Sequence, residues 1–400
     1  MFYKIKSIIK KYSYIKIRHR ERVIKVKNTK PKVRNSNLEL FRIITMLLIV
    51  AHHYVVNSGL LDSGGPIYSE PFAYRSQFLL IYGAWGKIGI SCFMLITGYF
   101  LCKSNITAKK YAKLLFQVMF YRIAIHTIFW LTGYATFTLP EFIKTLIPVT
   151  NIGVGFTSAM LVFYLFIPFL NILIRNMSEK QHLKILGLST FTYVLLGTLP
   201  FFHVTMNYVS WFMVLYLISS YIRLYPKVIF SNKKFWGGML FGSVLVSIAS
   251  VVVCSWLSFR FNVQMVYYFV TDSNTFLAVI TAVSAFMFFL NLDIKNSKFI
   301  NTVAASTFGV FLIHTHSDTM RQWLWGDILK NTEMYFSDFI YVHALISVLV
   351  VFIICILIDF IFKNIIEKPF FEFWDTKWNS VLVNYRYVKN AICQKLNIPI

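Results

Sequence analysis

Acidic residues are scarce in this 400-residue chain: 16 Asp and Glu stand against 40 Lys and Arg, a formal charge of +24. Such a balance suits a nucleic-acid binder. The basic residues, however, fall in short stretches between apolar runs, a pattern that membrane topology explains better. Five cysteines (Cys92, Cys102, Cys254, Cys355, Cys393) are scattered without metal or redox spacing. They read as small core residues, with no disulfide expected. No GxGxxG, P-loop or Gly-x-Ser-x-Gly pattern occurs. The first 34 residues carry 13 Lys or Arg and no long apolar core, so they do not read as a signal peptide. The longest outer loops, near 58–77, 134–155 and 317–338, are too short for an extracytoplasmic domain, and any chemistry is expected inside a helix bundle.

What is abundant is apolar sequence: 57% hydrophobic residues, a mean hydropathy of +0.61, 40 Phe and 23 Tyr. This composition specifies an all-α, polytopic membrane bundle. Runs of roughly 17–25 apolar residues place ten spans near 41–60, 78–102, 111–133, 156–174, 184–201, 208–224, 235–258, 274–292, 299–316 and 339–362. With both termini cytoplasmic, 32 of the 40 Lys and Arg fall on the inner side, which predicts an N-in, C-in topology. Three parts follow: a basic segment over 1–36, a transmembrane domain over 37–363, and an amphipathic cytoplasmic tail over 364–400 that contains Phe370, Phe371, Phe373 and Trp374. The basic segment reads either as an interfacial element on anionic lipid or as a disordered arm.

The first span carries Glu39, Arg42, His52 and His53. Eleven positions at ~100° each are three turns plus ~20°, so Arg42 and His53 share a helix face, ~16 Å apart along the axis. Glu39 is placed to pair with Arg42. A lone Arg at a helix start is ordinarily a snorkelling anchor, but a histidine on the same face points to chemistry that starts at one surface and finishes deeper, about halfway across the membrane.

In the second span Lys87 stands at a depth similar to His53, ready to bind a hydroxyl-rich or anionic group or to pair with a carboxylate, and Gly86, Gly89 and Gly98 permit close helix approach. Just inside lie Lys103, Lys109, Lys110 and Lys113, either topogenic charge or a phosphate-binding patch. The ninth span ends in His314 and His316, followed by Asp318, Arg321, Trp323 and Trp325 at the outer mouth. Histidines at i and i+2 differ by ~200° around a helix and make poor co-ligands, so no metal site is predicted. Arg122 and His126 read as a structural pair.

These blocks resemble the acyltransferase-3 family of integral-membrane acyltransferases over nearly the whole chain. Glu39, Arg42 and His53 match its acidic-x-x-Arg-x10-His opening. Lys87 to Tyr99 match its second-span block, with Ser91 where the family has Asn. Met160 to Asn171, with Tyr164 and Pro168, look like its fourth-span block, and Phe308–His314 through Trp325 like its late His block. Lys110-x-x-Lys113 stands where some members have Arg-x-x-Arg. The resemblance implies an acyl group, usually acetyl from acetyl-CoA, transferred to a hydroxyl of a cell-envelope polysaccharide or lipid-linked glycan at the bacterial cytoplasmic membrane. Acetyl-CoA would be a co-substrate, with no bound cofactor. Arg42, Lys110 and Lys113 would contact its phosphates, and Glu39 would orient Arg42. His53, neutral at rest, would be the general base or an acyl relay. Lys87, His314, His316, Asp318 and Arg321 are candidates for the acceptor side. A transporter or flippase of an envelope precursor is the alternative from another class.

Overall fold

The computed structural model describes residues 35–377 apart from 154, 264 and 271. Most of the basic segment, the end of the tail and Cys393 lie outside the described residues. The described residues form helices and connecting loops, without strands.

The first helix, α1 (Ser36–Val56), opens where Asn35 accepts a hydrogen bond from the Asn37 N–H at 3.1 Å, an N-cap that satisfies an otherwise orphaned donor. The cap starts the helix five residues before the apolar run expected to begin at 41, and the helix ends at Val56 rather than at 60. His53 therefore lies in the last turn of α1, not at its middle.

The second span is α2 (Tyr74–Gly83) joined to α3 (Gly86–Leu101) through a kink at Ala84–Trp85. Side chains answer the carbonyls at the kink. The Tyr267 hydroxyl donates to the Leu80 carbonyl at 3.0 Å, and His52 donates through Nδ1 to the Gly83 carbonyl. Gly86 is required by the same packing, since a Cβ there would sit 2.2 Å from the His52 ring. Gly89 and Gly98 likewise admit Ile49 of α1 and Ser219 of a later helix.

There follow α4 (Ala108–Leu131), the short α5 (Leu139–Leu146), α6 (Phe156–Asn176), α7 (Glu179–Thr190), α8 (Tyr208–Leu224), α9 (Lys233–Phe261), α10 (Phe276–Leu290), α11 (Lys298–Ala305), α12 (Thr307–His314) and α13 (Ile340–Phe362). Among the described residues, six helical runs are long and apolar enough to cross a membrane: Ser36–Val56, Tyr74–Leu101, Ala108–Leu131, Phe156–Asn176, Lys233–Phe261 and Ile340–Lys377; α8 and α10 are shorter and apolar. Two of the ten expected ranges are broken: the second at Ala84–Trp85 and the ninth at Ser306, between α11 and α12. In the fifth, α7 continues through a π-helical stretch over Phe191–Leu196.

Helix α3 is the hub, packed against α1, α8 and α10. Apolar side chains such as Ile346, Leu349, Ile353 and Leu357 of α13 and Val253 and Trp256 of α9 face outward, as lipid-contacting surfaces do. The helix begun by α13 runs on to Lys377, and Phe370 and Phe371 of this extension pack on Phe116 of α4 with ring centroids 4.3 and 5.6 Å away. The described part of the tail is thus docked on the bundle.

A fully buried carboxylate, Asp359 of α13, locks α4, α12 and α13 together. It accepts hydrogen bonds from Gln117 at 2.8 Å and Tyr121 at 3.0 Å, and pairs with Lys363 at 2.7 Å. Gly309 of α12 leaves room for it, because a Cβ there would lie 2.0 Å from Oδ1. An apolar-run reading absorbed Asp359 into the last span and missed this role.

Candidate active site

The site is built on α1. Glu39, in its first turn, is nearly buried and lies 3.7 Å from Arg42 Nη1, while Arg42 keeps 23% of its side chain exposed. The guanidinium sits 5.8 Å from the centroid of Phe100 on α3. Its Nε and Glu39 Oε2 are buried without hydrogen-bond partners. Arg42 is therefore oriented by a carboxylate and a ring but not saturated, leaving donors for an anion.

About three helical turns beyond Arg42, His53 meets His314, the last residue of α12. His53 Nδ1 and His314 Nε2 are 2.9 Å apart, and His314 Nδ1 is 2.6 Å from the Val310 carbonyl. A carbonyl only accepts, so His314 Nδ1 carries the proton. In a neutral ring its Nε2 then accepts, and His53 Nδ1 must donate. The chain Val310–His314–His53 leaves the lone pair of His53 on Nε2, which has no partner among the described residues. His314 is fully buried, whereas His53 is partly exposed. The pairing joins residues 261 positions apart and could not be read from local spacing.

Lys87, second residue of α3, donates to the Tyr208 hydroxyl at 3.0 Å, with its ammonium 5.6 Å from that ring. It has no carboxylate partner among the described residues, and it lies within electrostatic range of His52 and His53. His52 is the kink-holding residue described above. Ser91 donates to the Ser273 carbonyl at 3.0 Å and accepts from Trp211 Nε1 at 3.3 Å, a bridge between α3, α8 and the loop before α10.

Beyond the last turn of α1, a cleft of about 290 Å³ is lined by Asn57, Ser58, Asp62, Asp318, Arg321 and Gln322, among others. Asp318 and Arg321 pair across 2.8 Å at its rim. Arg321 lies within electrostatic range of both His53 and His314, which do not themselves line the cleft. His316 belongs elsewhere. Its Nε2 is 3.3 Å from the Arg122 carbonyl, and its ring stacks edge-on against His126 at 4.6 Å. Arg122 donates to the carbonyls of Lys144 at 2.7 Å and Thr145 at 3.1 Å, closing the end of α5.

The two lysines assigned to donor phosphates are engaged otherwise. Lys110 Nζ donates to the Asn105 carbonyl at 2.8 Å. Lys113 pairs with Glu367 at 3.3 Å and lies 5.0 Å from the Phe371 ring. Sequence reasoning did not anticipate a second basic group around the end of α3. Arg223 of α8 donates to the Tyr99 hydroxyl at 2.6 Å with its guanidinium 4.5 Å from that ring, and Arg175 of α6 reaches the Cys102 carbonyl at 3.5 Å. No group of His, Cys, Asp and Glu among the described residues is arranged to hold a metal ion.

A helix bundle with an oriented, partly exposed imidazole, an unsaturated arginine on the same helix face and a polar cleft toward the imidazole end is suited to group transfer within a membrane. Residues 35–362 match the acyltransferase-3 family, described as an acyltransferase domain, and the chain belongs to this family. It is an acyltransferase that moves groups other than aminoacyl groups, which decides against the transporter reading. No curated protein and no solved structure matches the chain.

Proposed function

We propose that the protein transfers an acetyl group from cytoplasmic acetyl-CoA to a hydroxyl of a cell-envelope polysaccharide or lipid-linked glycan, in the bacterial cytoplasmic membrane, from a ten-span, N-in, C-in bundle. The observation that carries this reading is the Val310–His314–His53 chain, which presents one free imidazole lone pair between an arginine end and a polar cleft.

The donor approaches at the Arg42 end, where the guanidinium supplies free donors for phosphate oxygens. Arg42 and His53 are ~16 Å apart along α1, a distance that an extended pantetheine arm covers. The acceptor hydroxyl enters from the cleft bearing Asp318 and Arg321. Its polar lining suits a sugar. His53 Nε2 removes the hydroxyl proton as oxygen attacks the thioester carbonyl. The tetrahedral adduct then expels the thiolate, which takes the proton back from His53. His314 holds the attacking tautomer without itself changing charge, much as a buried partner orients a catalytic imidazole in hydrolases. Lys87, close to both histidines of α1, is the positive charge placed to stabilise the oxyanion. Lys110 and Lys113 form an outer ring of positive charge that raises the local donor concentration.

The test is acyl transfer by purified, reconstituted protein. Wild type should consume acetyl-CoA in the presence of a hydroxylated glycan acceptor and yield an ester. Consumption without ester, or an N-linked product, would contradict the reading.

A further inference from the structure

We propose that Arg223, Arg175 and Lys103 form a phosphate-binding site at the end of α3, beside Arg42, that takes the nucleotide diphosphate end of the acyl donor. The inference rests on the acyl-CoA reading above and moves the main anion contacts away from Lys110 and Lys113.

Tyr99 and Phe100, consecutive on α3 with ring centroids 5.6 Å apart, each carry a guanidinium: Arg223 on Tyr99 and Arg42 on Phe100. Arg175 joins from α6 through the Cys102 carbonyl, and Lys103 follows in the chain. All three of Arg175, Arg223 and Lys103 lie within electrostatic range of the Cys102 sulfur, so their charges converge on one end of one helix.

The placement is built rather than incidental. Asn171 donates to the carbonyls of Leu101 at 3.3 Å and Ser104 at 3.1 Å, and accepts from the Tyr216 hydroxyl at 2.6 Å. These bonds fix the turn after α3 against α6 and α8, the two helices that carry Arg175 and Arg223. No carboxylate neutralises the cluster: among the described residues none of the three cations is ion-paired. The nearby Glu179 is committed to Lys227 at 2.6 Å and to the Tyr221 hydroxyl at 3.0 Å, and these hydrogen bonds hold its carboxyl below the ordinary range. Each guanidinium has five donors. Arg175 and Arg223 each spend one on a protein oxygen, and the Nε of Arg223 is buried with no partner. Convergent, unneutralised guanidinium forks supported on aromatic faces suit phosphate oxygens, not a single carboxylate. Lys110 and Lys113, by contrast, are already engaged with a backbone carbonyl and with Glu367.

Phosphate chemistry has two sources here, a soluble nucleotide thioester or a lipid headgroup, and the test separates them. Full-length protein in nanodiscs of phosphatidylcholine alone is titrated with CoA and, separately, with pantetheine, which lacks the phosphates. The double variant Arg175→Gln, Arg223→Gln is expected to bind CoA at least about tenfold more weakly and pantetheine unchanged. A Lys110→Gln, Lys113→Gln variant should lose less. Arg223→Lys, which keeps the charge, should fall between wild type and the double variant and guards against a fold that fails when the cations are removed. Failure of wild type to bind CoA would overturn the acyl-CoA reading and this site with it. Equal CoA binding by wild type and the arginine variant would overturn the site alone. In that second case, anionic lipid retained by wild type and lost by the variant would assign the cations to a headgroup.

Discussion

At the scale of residues, the chemistry depends on which nitrogen of His53 is free. The two hydrogen bonds through His314 fix the proton on Nδ1 and expose Nε2. His53→Ala should therefore lower acyl transfer by about 10²–10⁴-fold while CoA binding survives, because the imidazole acts on the proton and not on donor phosphates. His314 acts through His53, and its variants should separate positioning from bulk. His314→Leu fills the space but accepts nothing, and should reduce kcat by about tenfold or more with the donor KM unchanged. His314→Gln offers an amide oxygen to His53 Nδ1 and should recover much of that loss. A Gln variant as impaired as Leu would mean that His314 serves packing alone. Asp318 and Arg321, on the cleft side, should affect the acceptor KM and leave the donor KM alone.

Among the helices, the fit depends on glycines that hydropathy does not distinguish from other small residues. Gly309 faces Asp359 and Gly86 faces His52, each with no room for a methyl group. Gly309→Ala should destabilise the bundle by about 1–3 kcal/mol, a loss measurable as a lower thermal midpoint in detergent. An unchanged midpoint would show that α12 and α13 are free to separate. Much at this scale was legible beforehand and some was not. The Glu39–Arg42 pair follows from i, i+3 spacing and is present. The close approach at Gly86, Gly89 and Gly98 follows from side-chain size and is also present. The start of α1 was misplaced because Asn35 caps it through one hydrogen bond, which a hydropathy window does not see. The kink at Ala84–Trp85 was missed because its carbonyls are answered by His52 and Tyr267 from distant parts of the chain. His53 with His314, Asp359 with Gln117 and Tyr121, and the arginines around Tyr99 are all long-range encounters. Local spacing marks such residues as unusual but cannot pair them.

Over the whole molecule, the account needs its two ends on opposite sides of the membrane: Arg42, Arg175 and Arg223 toward the cytoplasm, and the Asp318 cleft away from it. Cys92, Cys102, Cys254 and Cys355 are buried, so introduced thiols can be labelled over a low background from the described residues. In intact cells a membrane-impermeant maleimide should label Ser63→Cys, at the cleft side, and reach Lys180→Cys only after permeabilisation. The opposite pattern would reverse the bundle and place the donor end outside, away from CoA.

The most direct test of the central claim is the ester content of the glycan itself. Envelope polysaccharide is purified from a deletion strain complemented with wild type, His53→Ala or Arg42→Ala at equal expression, and ester-linked acetyl is quantified by proton NMR. The account predicts acetyl restored by wild type and absent with either variant, while polymer yield stays the same. Full acetylation with both variants would contradict it.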